Sequence, residues 1–166
     1  MTPKERVKLA LAHKEADRVP VGEFAIDYKL IEAVLGRETF LRGKTKLTKA
    51  LWAGRRDKVV ESMKKDLVEF TLKTGLDMVA VSLVPGKSQK FDVPRQIDDY
   101  TWEDRAGNIL RYSDATEDIM VFKEGTKPVP PEVRKEFAPD PNDESRWELL
   151  RHVVEKLGKT HYVFAR

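Results

Sequence analysis

Between Arg55 and Leu83 the hydrophobic pattern changes period, and that change limits the fold more than any other feature. Val59, Val60, Met63, Leu67 and Phe70 recur at three- and four-residue spacing, which predicts one apolar face on a helix from about Arg55 to Thr74. Gly75 is placed to end that helix in a left-handed conformation. Leu76-Asp77-Met78-Val79-Ala80-Val81-Ser82-Leu83 follows and is apolar almost throughout after Asp77. A run of that kind suits a strand buried on both faces of a parallel sheet. A long helix feeding such a strand gives an α/β class.

The flanking segments extend the alternation. Thr2 as N-cap, Pro3 at the first helical position and Glu5 closing a capping box predict a helix reaching His13. Val19 to Phe24 reads as a strand, with Pro20 near its start, where a missing donor does least harm. Asp27 is placed to cap a short helix through Val34 that Gly36 ends. From Lys87 to Lys127 the pattern predicts an antiparallel insertion, with strands at 91–93, 109–112 and 119–122 and a turn at 104–108. Pro128, Pro130 and Pro131 end it. A last helix, 143–157, turns Trp147, Leu150, Val153, Val154 and Leu157 inward before Gly158, and 161–165 reads as a third parallel strand. That strand presents an open edge. The expected cover is a missing C-terminal half, a second chain, or another copy in a homo-oligomer.

Composition excludes some classes. The chain has 166 residues, 31 basic and 28 acidic, and no cysteine. Disulfides, Cys-ligated zinc and a Cys nucleophile are therefore absent from it, and a cytoplasmic location is expected. No apolar run approaches the ~18 residues of a membrane span. The nine Lys and Arg between Arg42 and Lys65 face only Asp57 and Glu61. They read as a solvated helical face, with no nucleic-acid motif beside them.

The order of several segments resembles the N-terminal part of the uroporphyrinogen decarboxylase-like superfamily. These are the opening helix, Asp17-Arg18-Val19-Pro20-Val21, Arg55-Arg56-Asp57-Lys58-Val59-Val60, Gly75-Leu76-Asp77-Met78-Val79, Trp102-Glu103-Asp104-Arg105-Ala106-Gly107, and Pro139-Asp140-Pro141. The resemblance implies an incomplete (β/α)8 barrel, about the first three β/α units, with the insertion 87–127 after the second strand. A whole barrel needs about 250 residues. The decarboxylases carry paired arginines after the first strand and a Ser-Asp pair after the second. Here 19–36 contains no arginine, and the pair reads Ser82-Leu83. The corrinoid-dependent methyltransferase branch is therefore the nearer one. Its zinc site and corrinoid partner protein would belong to the C-terminal half, so this segment implies no cofactor of its own and no activity alone. Decarboxylation of a porphyrinogen and a non-catalytic interaction module are the alternatives.

Such barrels act at the C-terminal ends of their strands. The candidates there are Glu23 and Asp27 after the first strand, Ser82 and Lys87 after the second, and Arg166 after the third. Asp27 is equally suited to cap a helix, and Ser82 lacks a triad partner. Gly86-Lys87-Ser88 ends like a phosphate loop, but Val81 stands where the first glycine belongs. His13, His152 and His161 lack metal-ligand spacing, as do the acids Asp98, Asp99, Glu103 and Asp104.

Overall fold

Parallel strands held by one buried carboxylate organise the larger half of the computed structural model, which describes residues 1–165. The helices are α1 (Pro3–Leu11), α2 (Tyr28–Leu35), α3 (Lys44–Trp52), α4 (Arg56–Thr74), α5 (Pro131–Phe137) and α6 (Glu148–Leu157). The strands are β1 (Gly22–Glu23), β2 (Met78–Val81), β3 (Arg95–Asp98), β4 (Thr101–Glu103), β5 (Ile109–Ser113), β6 (Asp118–Lys123) and β7 (Tyr162–Ala165). Strands β1, β2 and β7 form a parallel sheet in chain order, with Gly22 opposite Met78 and Met78 opposite Tyr162. Strands β3 to β6 form a separate antiparallel sheet. The fold is mixed α/β, and among the described residues there is no closed barrel.

Local chemistry sets the helix ends as the sequence reading expects. Thr2 and Glu5 make the reciprocal capping box of α1. Asp27 caps α2 by accepting from the Lys29 N–H at 3.0 Å. Gly36 and Gly75 end α2 and α4 in the left-handed conformation. Only glycine adopts that without a steric penalty.

The main core lies between the sheet and one helix layer. Val79 and Val81 of β2 meet Val60 of α4 and Leu149, Val153 and Leu157 of α6, with Val163 of β7 packed alongside. Burying each such side chain contributes about 1.5–3 kcal/mol. A second cluster, Ile31, Leu35 and Phe70, joins α2 to α4. Asp66, 2 % exposed, ties the α2–α3 loop to α4. It accepts from the Thr39 and Ser62 hydroxyls at 2.6 Å and from Arg37 Nη2 at 2.6 Å.

Several expectations are corrected. Strand β2 is not buried on both faces: Val79 and Val81 are buried, while Met78 and Ala80 are half-buried. Strand β1 shortens to two residues, because only those face β2 in register. The segment 91–93 is not a strand; pairing begins at Arg95, just after Pro94, which cannot donate. Its partner β4, carrying the buried Trp102, was not anticipated, nor were α3 and α5 as separate helices. In the last helix a 3₁₀ turn (Glu144–Trp147) precedes α6. Its three-residue period shifts the helical phase, so Leu149 is buried while Trp147 and Val154 are exposed. Gly158 stays right-handed, with φ −63°.

Asp77 closes the N-terminal end of the sheet. Its carboxylate is fully buried. It accepts from Arg6 Nη1, from Arg18 Nη1 at 2.6 Å and Nη2 at 3.0 Å, and from the Val21 N–H at 2.8 Å. Its backbone N–H donates to Val21 O at 2.7 Å, and its carbonyl accepts from Tyr162 N at 3.1 Å. Helix α1, the Arg18 loop and all three strands therefore meet at one residue. Burial raises the Asp77 pKa, but the Val21 N–H and the two guanidiniums outweigh it and hold the group below its ordinary value. Asp17, hydrogen-bonded by Arg6, is lowered to about 2.

Removing one partner of such a buried set strands the others. Asp77→Ala is expected to cost about 3–5 kcal/mol, read as a fall in the urea midpoint; a loss below about 1 kcal/mol would contradict this role. Both acids have lowered folded pKa values, so their stabilisation is complete above the unfolded value of about 3.9. It is lost as pH falls towards the folded values, near 2 for Asp17. Unfolding followed from pH 7 to pH 2 should show a plateau and then a decline, shallower in Asp77→Ala.

Candidate functional site

The C-terminal ends of β1 and β2 open into a cleft of about 320 Å³. Its walls are apolar side chains of α2, α3 and α4 together with Phe24, Ile26, Val79, Leu83 and Val84. Glu23 and Ser82 both line it, so the fold brings together two of the anticipated residues. Asp27 and Lys87 lie outside that lining, and Arg166 lies outside the described residues.

Glu23 ends β1, and its carboxylate folds back onto the chain. It accepts from the N–H groups of Phe24 at 2.7 Å and Ala25 at 3.1 Å. The Ala25 and then the Phe24 N–H hold its pKa below the ordinary value, so the group is a carboxylate and not an acid catalyst at neutral pH. Asp27 is the cap of α2 and also pairs with Lys44 at 2.8 Å. The Lys44 bond is the main reason its pKa is lowered.

Beyond β2 the chain crosses the start of the 3₁₀ turn, and this crossing explains the Gly86-Lys87-Ser88 motif. The Ser88 hydroxyl donates to Asp143 Oδ2 at 2.7 Å, and the Lys87 N–H donates to Ser145 Oγ at 2.7 Å. An internal carboxylate thus takes the donors that an anion would otherwise find. Hydrogen bonds from Ser145, then Ser88, drive the Asp143 pKa well down. A Cβ on Gly86 would overlap the Asp143 carboxylate, so a side chain there would have to displace that group from Ser88. The Lys87 ammonium lies 3.5 Å from Glu148.

Arg56 fixes the same crossing from below. Its guanidinium, 8 % exposed, donates to Pro85 O at 2.8 Å and Ser145 O at 3.0 Å, and pairs with Glu148 at 3.3 Å. Burial raises the Glu148 pKa, but Lys64 and Arg56 outweigh it and keep the group ionised. Periodicity could not find this residue. The Arg55-Arg56 pair reads as a charged helix start, and only the fold reveals carbonyls above it.

The antiparallel sheet docks on the helices that wall the cleft. Trp52 and Trp102 meet at 5.9 Å, Lys49 sits 4.9 Å over Trp102, and Tyr28 Oη donates to Glu117 at 2.9 Å. That hydrogen bond is the main cause raising the Tyr28 pKa, to about 12. His161, expected as a core or surface histidine, is buried at the start of β7. Burial lowers its pKa, and the Asp77 charge only partly opposes this. Among the described residues no group of three or more His, Asp or Glu side chains is placed to hold a metal ion. None of their helices is long and apolar enough to cross a membrane.

No family model matches the chain, and no curated protein or solved structure matches it either.

Arg56→Met should release the crossing over β2. Losing hydrogen bonds from a charged donor costs about 2–3 kcal/mol, measurable as a lower thermal midpoint. A midpoint within 1 °C of the parent would show that the crossing is held by other contacts.

Proposed function

We propose that this chain is the N-terminal part of a uroporphyrinogen decarboxylase-like (β/α)8 barrel enzyme, of the corrinoid-dependent methyltransferase type. One observation carries the reading: the two faces of the parallel sheet are treated differently. Val79, Val81 and Val163 pack into the core shared with α4 and α6. Side chains alternate along a strand, so Met78, Ala80, Tyr162 and Phe164 occupy the other face, and neither core cluster draws on them. In a closed barrel the first face meets the helical ring and the second fills the interior. The chain order β1-β2-β7 and the all-parallel pairing are what successive barrel units would give.

Active groups of such a barrel lie at the C-terminal ends of the strands, and there the cleft gathers Glu23 and Ser82. The carboxylate of Glu23, fixed by two backbone N–H groups, would present a constant negative charge towards substrate. The residues present do not make a zinc site, so the thiolate-forming centre of that branch would have to come from outside them. The absence of arginine from 19–36, and Leu83 where an acceptor is needed, weigh against a decarboxylase. The test is methyl transfer to a corrinoid protein by the zinc-loaded protein carrying its downstream continuation. Turnover is expected from the extended protein and none from residues 1–166; a complete, metal-loaded protein without transfer would refute the assignment.

A second reading, an interaction module, is favoured by β6, where Met120, Val121 and Phe122 are all more than half exposed at a sheet edge. It predicts self-association through that edge. Sedimentation of a single monomeric species at high concentration, unaltered in Phe122→Lys, would remove it.

A further inference from the structure

The cleft behind β1 and β2 is partly open to solvent, and its walls are mostly apolar. An apolar cavity of about 150 Å³ stays dry and takes up benzene, and this one is about 320 Å³. That volume falls at the lower end of the range for small-molecule sites. Leu47, Leu51, Met63, Leu67 and Leu76 line it and are only half-buried, so an apolar occupant would remove more of their surface from water.

Few polar groups face this space, and most have internal partners. The Thr71 hydroxyl donates to Leu67 O at 2.7 Å. The Glu23 carboxylate is held by the Phe24 and Ala25 N–H groups. Arg42 is different. Among the described residues it has no acidic partner, and its hydrogen bond to Phe24 O is long, at 3.4 Å. Its backbone is left-handed, with φ +57°, an unfavourable conformation for a residue with a Cβ. Arg42 is one of the residues that line the cleft, at its exposed side.

We propose that the cleft binds a small amphipathic carboxylate, its apolar body among the leucines and its head group on Arg42. By proportion with the benzene-sized cavity, the body and head together amount to about a dozen heavy atoms. A guanidinium grips a carboxylate through paired N–H donors, which selects this head group over an alcohol. The Glu23 charge disfavours any anion that cannot reach Arg42. The cleft is the one whose Glu23 and Ser82 serve the barrel reading, but the inference draws on Arg42 and the apolar walls and is tested on the 166-residue chain alone, so it stands or falls separately.

Decanoate and decanol, titrated calorimetrically into the 166-residue chain below their aggregation limits, provide the test. Saturable one-to-one binding of decanoate is expected, at least tenfold tighter than decanol. Arg42→Gln, at an exposed position, should weaken decanoate about tenfold and leave decanol unchanged. Leu83→Trp, filling the mouth, should abolish both while circular dichroism still reports a folded chain. Non-saturating uptake, equal affinity for the two probes, or decanoate binding unaffected by Arg42→Gln would each overturn the proposal. The last of these arms needs no core substitution, so a folding defect in Leu83→Trp leaves the outcome decisive.

Discussion

The Asp77 carboxylate is fully buried, and an ionised group in that position is tolerable only if its acceptor sites are filled. Arg6, Arg18 and the Val21 N–H fill them. These donors come from a helix, a loop and the entry to β1, and all three are more than 50 residues before Asp77 in the chain. The requirement therefore works as a positional constraint. Helix α1 cannot move without uncovering a charge, β1 cannot slip along β2 without losing the Val21 bond, and β7 takes its first backbone bond from the same residue. The sheet's register follows from that single desolvated group more than from the short strands, which alone are too brief to fix it.

A division of labour follows between the two ends of the sheet. The N-terminal end is locked by charges that have no freedom left. The C-terminal end is assembled from loops: the Glu23 turn, the Gly86 crossing held by Arg56 and Asp143, and the α2–α3 connection held by Asp66. The Gly86 crossing and the α2–α3 connection are fastened by the ion pairs Arg56–Glu148 and Arg37–Asp66, and the Glu23 turn by two backbone N–H groups on its own carboxylate. The walls are thus mostly apolar, with Glu23, Arg42, Thr71 and Ser82 the polar residues among them.

Much of this order was legible in the sequence, and the failures share a cause. The capping box at Thr2, the cap at Asp27, the terminators Gly36 and Gly75 and the α4 stripe depend on neighbours a few residues away, so local pattern finds them. The strand lengths, the pairing of Trp102 and the burial of Leu149 depend on distant partners or on a shift of helical phase by a 3₁₀ turn, which composition does not record. Asp77 was visible as the one acid at the head of an apolar run, yet its partners lie 71 and 59 residues away. Among the site candidates, Glu23 and Ser82 converge on the cleft because both end parallel strands. Asp27 and Lys87 were drawn instead into caps and ion pairs. Arg42 carried no local signal, since nothing in a basic stretch distinguishes the cation that the fold places on the cleft.

The docking of the antiparallel sheet has a different character from the lock at Asp77. Its attachments to α2 and α3 include the Trp52–Trp102 ring contact, Lys49 over Trp102, the Tyr28 hydrogen bond to Glu117 and the Lys29–Glu117 ion pair at 2.6 Å, and α4 with β2 lies in the chain between Trp52 and Trp102. Closing so long a loop carries an entropic cost that a few peripheral contacts offset only modestly. The sheet is therefore expected to open as a unit before the parallel strands separate. Amide protons of β3 to β6 should then exchange through this partial opening, whereas those of β2 and its neighbours wait for the whole chain to unfold. In free-energy terms the protein has two tiers, and the walls of the cleft sit on the boundary between them.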